Sequence, residues 1–149
     1  MTASADIGYD VLFVVHLIVA AALVIVLVSL RWVARTAPTM APDVLRRRCP
    51  NRPDWALRLV HFLPVSGVAL SLRGSHDVAL TRPWIVVGIA LYLVLAFLIE
   101  ARLAPAERSL ARAAEGGAGL ATIAHSLGRT VDGALFVVTL LFVTMFGQF

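Results

Sequence analysis

The stretch Val11-Leu-Phe-Val-Val-His-Leu-Ile-Val-Ala-Ala-Ala-Leu-Val-Ile-Val-Leu-Val-Ser-Leu30 is twenty residues without a formal charge. At 1.5 Å per residue a helix of that length covers about 30 Å, the thickness of a bilayer's hydrocarbon core. Everything else in the chain is read outward from this span. Its surroundings agree: of 149 residues, 60% are hydrophobic and 15% charged, against roughly 45–50% and 25% in ordinary soluble domains. The expected class is all-α membrane, a four-transmembrane-helix bundle forming one domain over residues 1–149, with no room for a separate soluble domain.

Three further apolar runs follow. From Leu59 to Leu72 there are fourteen uncharged residues, including His61 and Pro64, and about 21 Å does not cross a membrane. Trp55 and Arg58 extend it, the indole at headgroup level and the guanidinium snorkelling on its alkyl stem. A proline at position 64 should kink it. The third run opens with Pro83-Trp84, proline in the first turn where no donor is lost, and stays uncharged to Ile99, so that Glu100 and Arg102 are expected to end it. The fourth is uncharged from Gly133 to Phe149 and extends back toward Leu120 if Arg129 and Asp132, spaced i, i+3, pair on one face. The expected helices are therefore residues 10–31, 55–72, 83–101 and 120–149, with a short charged helix over 106–115 on the membrane surface and a breaker at Gly116-Gly-Ala-Gly119.

All thirteen cationic residues are arginines. Seven (31, 35, 46, 47, 48, 52 and 58) fall between the first and second runs, two (73 and 82) between the second and third, and four (102, 108, 112 and 129) between the third and fourth. Arginine near spans is retained on the cytoplasmic side, so the first and third loops are expected in the cytoplasm and both termini outside it. The expected location is a bacterial inner membrane. This distribution also accounts for the net charge of +4 without a nucleic-acid partner. Arg46, Arg47 and Arg48, with Trp55, Arg58 and Trp84, are candidates to anchor the protein at the interface and to hold anionic lipid head groups. The N-terminal ten residues hold two acids and no arginine, unlike the basic start of a secretory signal, so the first helix is expected to be retained.

Cys49 stands alone, which excludes an intramolecular disulfide and a multi-cysteine zinc site. Its neighbours Arg46, Arg47 and Arg48 favour the thiolate. The remaining chemistry rests on histidines and on charges near hydrocarbon, where an ionisable group is costly. His16 lies in the outer third of the first helix and His61 near the inner end of the second, about 12 Å apart in depth, too far to share one iron. His61 and His125 are matched in depth and are candidates to flank a haem b or a quinone head group. The alternative is imidazoles bonded to carbonyls or hydroxyls between helices, and no cofactor is the leading expectation. Glu100, Arg102, Arg129 and Asp132, with Arg58, form an expected cluster of ion pairs at the cytoplasmic ends of the helices. An acid there also suggests a proton-coupled transporter, although none lies at the midplane where coupling sites belong.

With His16 in the first helix, Arg58-Leu-Val-His-Phe-Leu-Pro-Val-Ser-Gly67 in the second and Arg82-Pro-Trp-Ile-Val-Val-Gly-Ile-Ala-Leu-Tyr92 in the third, residues 10 to 110 resemble a bacterial family of four-helix integral membrane proteins of unknown function. That family is distantly similar to the copper-resistance membrane domain and to the haem-dependent protoporphyrinogen oxidase. In the oxidase a first-helix histidine and a third-helix lysine matter; His16 matches the first, and this chain has no lysine. In size and composition it also resembles accessory subunits of actinobacterial respiratory oxidases. That resemblance implies a non-catalytic accessory or scaffold subunit of a larger inner-membrane complex, partnered by other integral membrane subunits, and not an enzyme.

Overall fold

The computed structural model describes residues 3–48, 55–73, 83–116 and 119–146. The described chain is helical almost throughout: α1 (Ala3–Thr36), a 3₁₀ turn at Ala37–Thr39, α2 (Pro42–Arg48), α3 (Trp55–Arg73), α4 (Pro83–Leu98), a π turn at Ile99–Leu103, α5 (Ala104–Gly116) and α6 (Leu120–Phe146). Three stretches are long and apolar enough to cross a membrane: Ile7–Thr39, Pro83–Ala114 and Leu120–Met145. A shorter apolar helix, Trp55–Leu70, accompanies them. Cys49, Arg52 and Arg82 lie outside the described residues, as do positions 147–149.

The first helix outruns its apolar stretch. At 34 residues α1 is about 51 Å long, and it passes through Arg31 and Arg35 because arginine is a good helix former. A charge ends a membrane span without ending a helix. Termination comes at Ala37-Pro38, where proline disfavours the helical region for the residue before it. Pro42 then opens α2 at the position that needs no donor, with Asp43 in its first turn to complement the helix dipole.

The same reasoning corrects the third helix. Glu100 and Arg102 do not stop it; the helix continues through the π turn into α5 as far as Gly116. Pro105 explains the turn. It has no N–H, and in a regular helix its ring would press on the carbonyl four residues back; here the preceding residues widen, and the Ala104 N–H bonds the Ile99 carbonyl, the i→i−5 bond of a π bulge. The short charged helix expected at 106–115 corresponds to α5, which is continuous with α4 through the π turn. Its apolar residues Leu110, Ala111 and Ala114 are buried, and α5 packs against α2 and α6, so that face is covered by protein.

The core follows from helical spacing. On α1, Leu23, Leu27, Leu30 and Ala34 are buried, and on α6, Ala124, Leu127, Val131, Ala134 and Val138; both sets repeat at three and four residues, one stripe per helix. α1 packs against α3 on one side and α6 on the other, α6 packs against α4 and α5, and α3 touches α4 only lightly. Leu45 of α2 and Leu103 at the end of the π turn, both almost fully buried, complete the core beneath α5. Outside, the order is inverted relative to a soluble protein. Ile18, Ile25 and Val28 of α1, Val65 of α3, Leu93 and Phe97 of α4, and Phe136 and Val143 of α6 are all exposed, apolar side chains on the outside of every long helix, as a lipid-facing surface requires.

Candidate functional site

Polar contacts between helices involve residues singled out in the sequence. The outermost is His16, buried in α1, whose Nδ1 lies 2.7 Å from the Ser66 hydroxyl of α3. The Ser66 Oγ is also 3.0 Å from the carbonyl oxygens of Phe62 and Leu63. A hydroxyl has one proton; when it donates to its own helix, its oxygen accepts from the His16 Nδ1–H. Gly67 lies beside the contact, and a Cβ there would meet His16 Cε1 at 3.9 Å, an ordinary van der Waals distance.

The second contact joins α3 to the π turn. His61 Nε2 lies 2.9 Å from Glu100 Oε1, and both side chains are about half exposed, 53% and 50%. It closes the light contact between α3 and α4 at one end. One helical turn before His61, Arg58 stacks over Trp55 with its guanidinium carbon 5.8 Å from the ring centroid, a cation–π pair.

The third contact is the densest. Arg31 of α1 places Nε 2.5 Å from Asp132 Oδ1 of α6. The guanidinium lies across Gly128, where a Cβ would come within 2.8 Å of Arg31 Nη1. Nε itself is buried and donates no aligned hydrogen bond, so the contact is one of charge. Beside it a crevice of about 350 Å³ opens between α1 and α6, lined by Arg31, Arg35, His125, Arg129 and Asp132 above the small residues Ala34 and Ala124.

The expected cluster of charges is thus divided. Glu100 goes to His61 and Asp132 goes to Arg31, a residue the sequence left out of the cluster. Arg129 lines the crevice, and Arg102 is exposed on the π turn. The histidines are divided too: His16 meets Ser66, His61 meets Glu100 and His125 lines the crevice, so no recorded contact joins two of them. Among the described residues, no group of three or more His, Cys, Asp or Glu side chains is placed to hold a metal ion. Arg46, Arg47 and Arg48 are exposed in the last turn of α2, and Trp84 is half-buried in the first turn of α4. Ser66 and Arg31 were the missed partners. A serine two residues after a helix proline was a usable signal; nothing local marks Arg31 as the partner of a residue so distant in sequence.

No protein-family model, curated protein or solved structure matches the chain.

Proposed function

We propose that this protein is a non-catalytic accessory or scaffold subunit of a larger inner-membrane assembly, respiratory in kind, with four spans, both termini outside the cytoplasm and the arginine-rich loops inside it. The observation that carries the reading is the open seam between α3 and α4. The outward residues of α3, Phe62, Val65, Val68 and Leu72, are exposed, the last by 81%, and at the end of the same seam the His61–Glu100 pair is half open. At the cytoplasmic end of the span the half-exposed imidazole and carboxylate mark the edge of the seam, and a partner helix laid along the apolar stripe would reach them. α3 also needs a neighbour on length. At 19 residues it reaches about 28 Å, just short of the core thickness, and it contains Pro64. A short helix of this kind is accommodated by packing against other helices.

The test is purification from native membranes in mild detergent, with Val65→Trp on the seam and Val28→Trp on the exposed face of α1 as a matched control. The expected result is a stoichiometric set of integral membrane proteins, carrying oxidase activity, that survives Val28→Trp and is lost with Val65→Trp. A protein that runs alone, or partners that ignore both substitutions, overturns the reading. Topology is checked with Cys49, the chain's single cysteine: a membrane-impermeant maleimide should label it in inverted vesicles and not in intact cells. An absorption band in the purified protein that disappears with His61→Ala would favour a haem-binding function instead.

A further inference from the structure

We propose that the crevice between α1 and α6 binds a phosphate-bearing anion. Its volume, about 350 Å³, lies within the roughly 300–1,000 Å³ of small-molecule sites, and its charge is unbalanced. Three guanidiniums, of Arg31, Arg35 and Arg129, and the His125 imidazole face one carboxylate, Asp132, which Arg31 already holds. Arg35 and Arg129 have no ion-pair partner among the described residues. Two exposed guanidiniums from different helices lining one recess suit a tetrahedral phosphate, whose oxygens accept N–H groups in pairs.

The recess is built and not merely a charged surface. Ala34 and Ala124 are buried at its base, so small side chains give it depth. The absence of a side chain at Gly128 gives Arg31 room against α6, where it pairs with Asp132 and leaves the other two arginines for a ligand. Position supplies the anion. Arg31 is the first charge after the twenty-residue apolar run, which places the crevice at the membrane boundary, where phosphates of lipid head groups are concentrated. A soluble phosphate compound would offer the same group from the aqueous side. The site is independent of the accessory role and would stand if that reading fell.

The experiment uses the full chain in neutral detergent, with native mass spectrometry to count bound molecules. One arm titrates phosphatidic acid against phosphatidylcholine; the other titrates inorganic phosphate without lipid. Arg35→Gln/Arg129→Gln removes the two free guanidiniums, and Arg46→Gln/Arg47→Gln removes the same charge from α2. The expected result is retention of phosphatidic acid that falls about tenfold with the first pair, the equivalent of one lost charge-assisted contact, and stays within about twofold of wild type with the second. Binding in the lipid arm alone assigns a lipid head group; equal competition by inorganic phosphate assigns a soluble compound. Ala121→Leu, which fills the mouth without changing charge, should also reduce binding and serves if the double variant fails to fold. Equal losses from both double variants mean a general basic surface, and displacement of both probes by an acidic peptide means a protein ligand; either result overturns the proposal, as does binding unaffected by every variant.

Discussion

Arg31 on α1 and Asp132 on α6 face each other with Nε 2.5 Å from Oδ1, an ion pair that ties two helices distant in sequence. The pair is unequal: the arginine side chain is 26% exposed and the aspartate 50%. Water therefore screens the acid more than the base, and the energy belongs near the upper end of the surface range, about 1 kcal/mol. Asp132→Asn should lower thermal stability in detergent by about that amount. The charge-reversed pair Arg31→Asp/Asp132→Arg should recover part of it, and a double-mutant cycle that gives no coupling would show that the contact holds nothing.

Gly128 tests the same contact from beneath. An alanine Cβ would come within 2.8 Å of Arg31 Nη1, so the guanidinium, the flexible end of its side chain, must shift and its contact with Asp132 is disturbed. Gly128→Ala should thus forfeit most of the gain of up to about 1 kcal/mol that alanine's helix propensity offers, and should be non-additive with Asp132→Asn because both act on one contact. Gly88→Ala is the control. Nothing lies within 4 Å of its Cβ, and it should be neutral or stabilise by up to about 1 kcal/mol. Equal melting temperatures for the two alanine variants would contradict the described position of Arg31.

These contacts also show which parts of the protein were legible in its sequence. Local signals served where one residue changes the local physics: Trp55 and Pro83 open α3 and α4, and the glycine-rich break precedes α6 at Leu120. The ends of α1 and α4 were less legible because Arg31, Arg35, Glu100 and Arg102 carry two messages. They oppose hydrocarbon, which limits a span, and they favour helix, which prolongs the element. Pro105 marked the place where the chain had to adjust, but its effect falls before it, in the π turn. The sequence offers Asp132 only an i, i+3 pairing with Arg129, because one sequence displays local neighbours alone; Arg31 enters from another helix. For the same reason His61 was matched with His125 by depth, whereas the structure brings Glu100 to His61.

The buried His16–Ser66 bond predicts an asymmetry. Ser66 retains the carbonyls of Phe62 and Leu63 within reach when His16 is removed, whereas His16 loses its recorded partner when Ser66 is removed. Ser66→Ala should therefore cost about 1 kcal/mol, and His16→Leu, of similar size and apolar, less than that; the double variant should lie above Ser66→Ala, since removing both partners of a bond can be nearly neutral. Thermal unfolding of the three variants decides it. A double variant less stable than Ser66→Ala alone would assign His16 a contact beyond Ser66.

Glu100→Gln separates a structural pair from an interface. The carboxylate and the His61 imidazole are both about half exposed, so their pairing within the isolated protein should be worth less than about 1 kcal/mol, and the melting temperature of the purified chain should barely move. If a partner helix covers the seam, the same group becomes desolvated in the complex, where leaving one member of a pair unmatched costs several times more. Glu100→Gln should then leave the monomer folded and reduce co-purification of the partner, an effect that His61→Gln should reproduce. Loss of monomer stability with the partner retained would place the pair inside the bundle's own architecture and remove the main support for a covered seam.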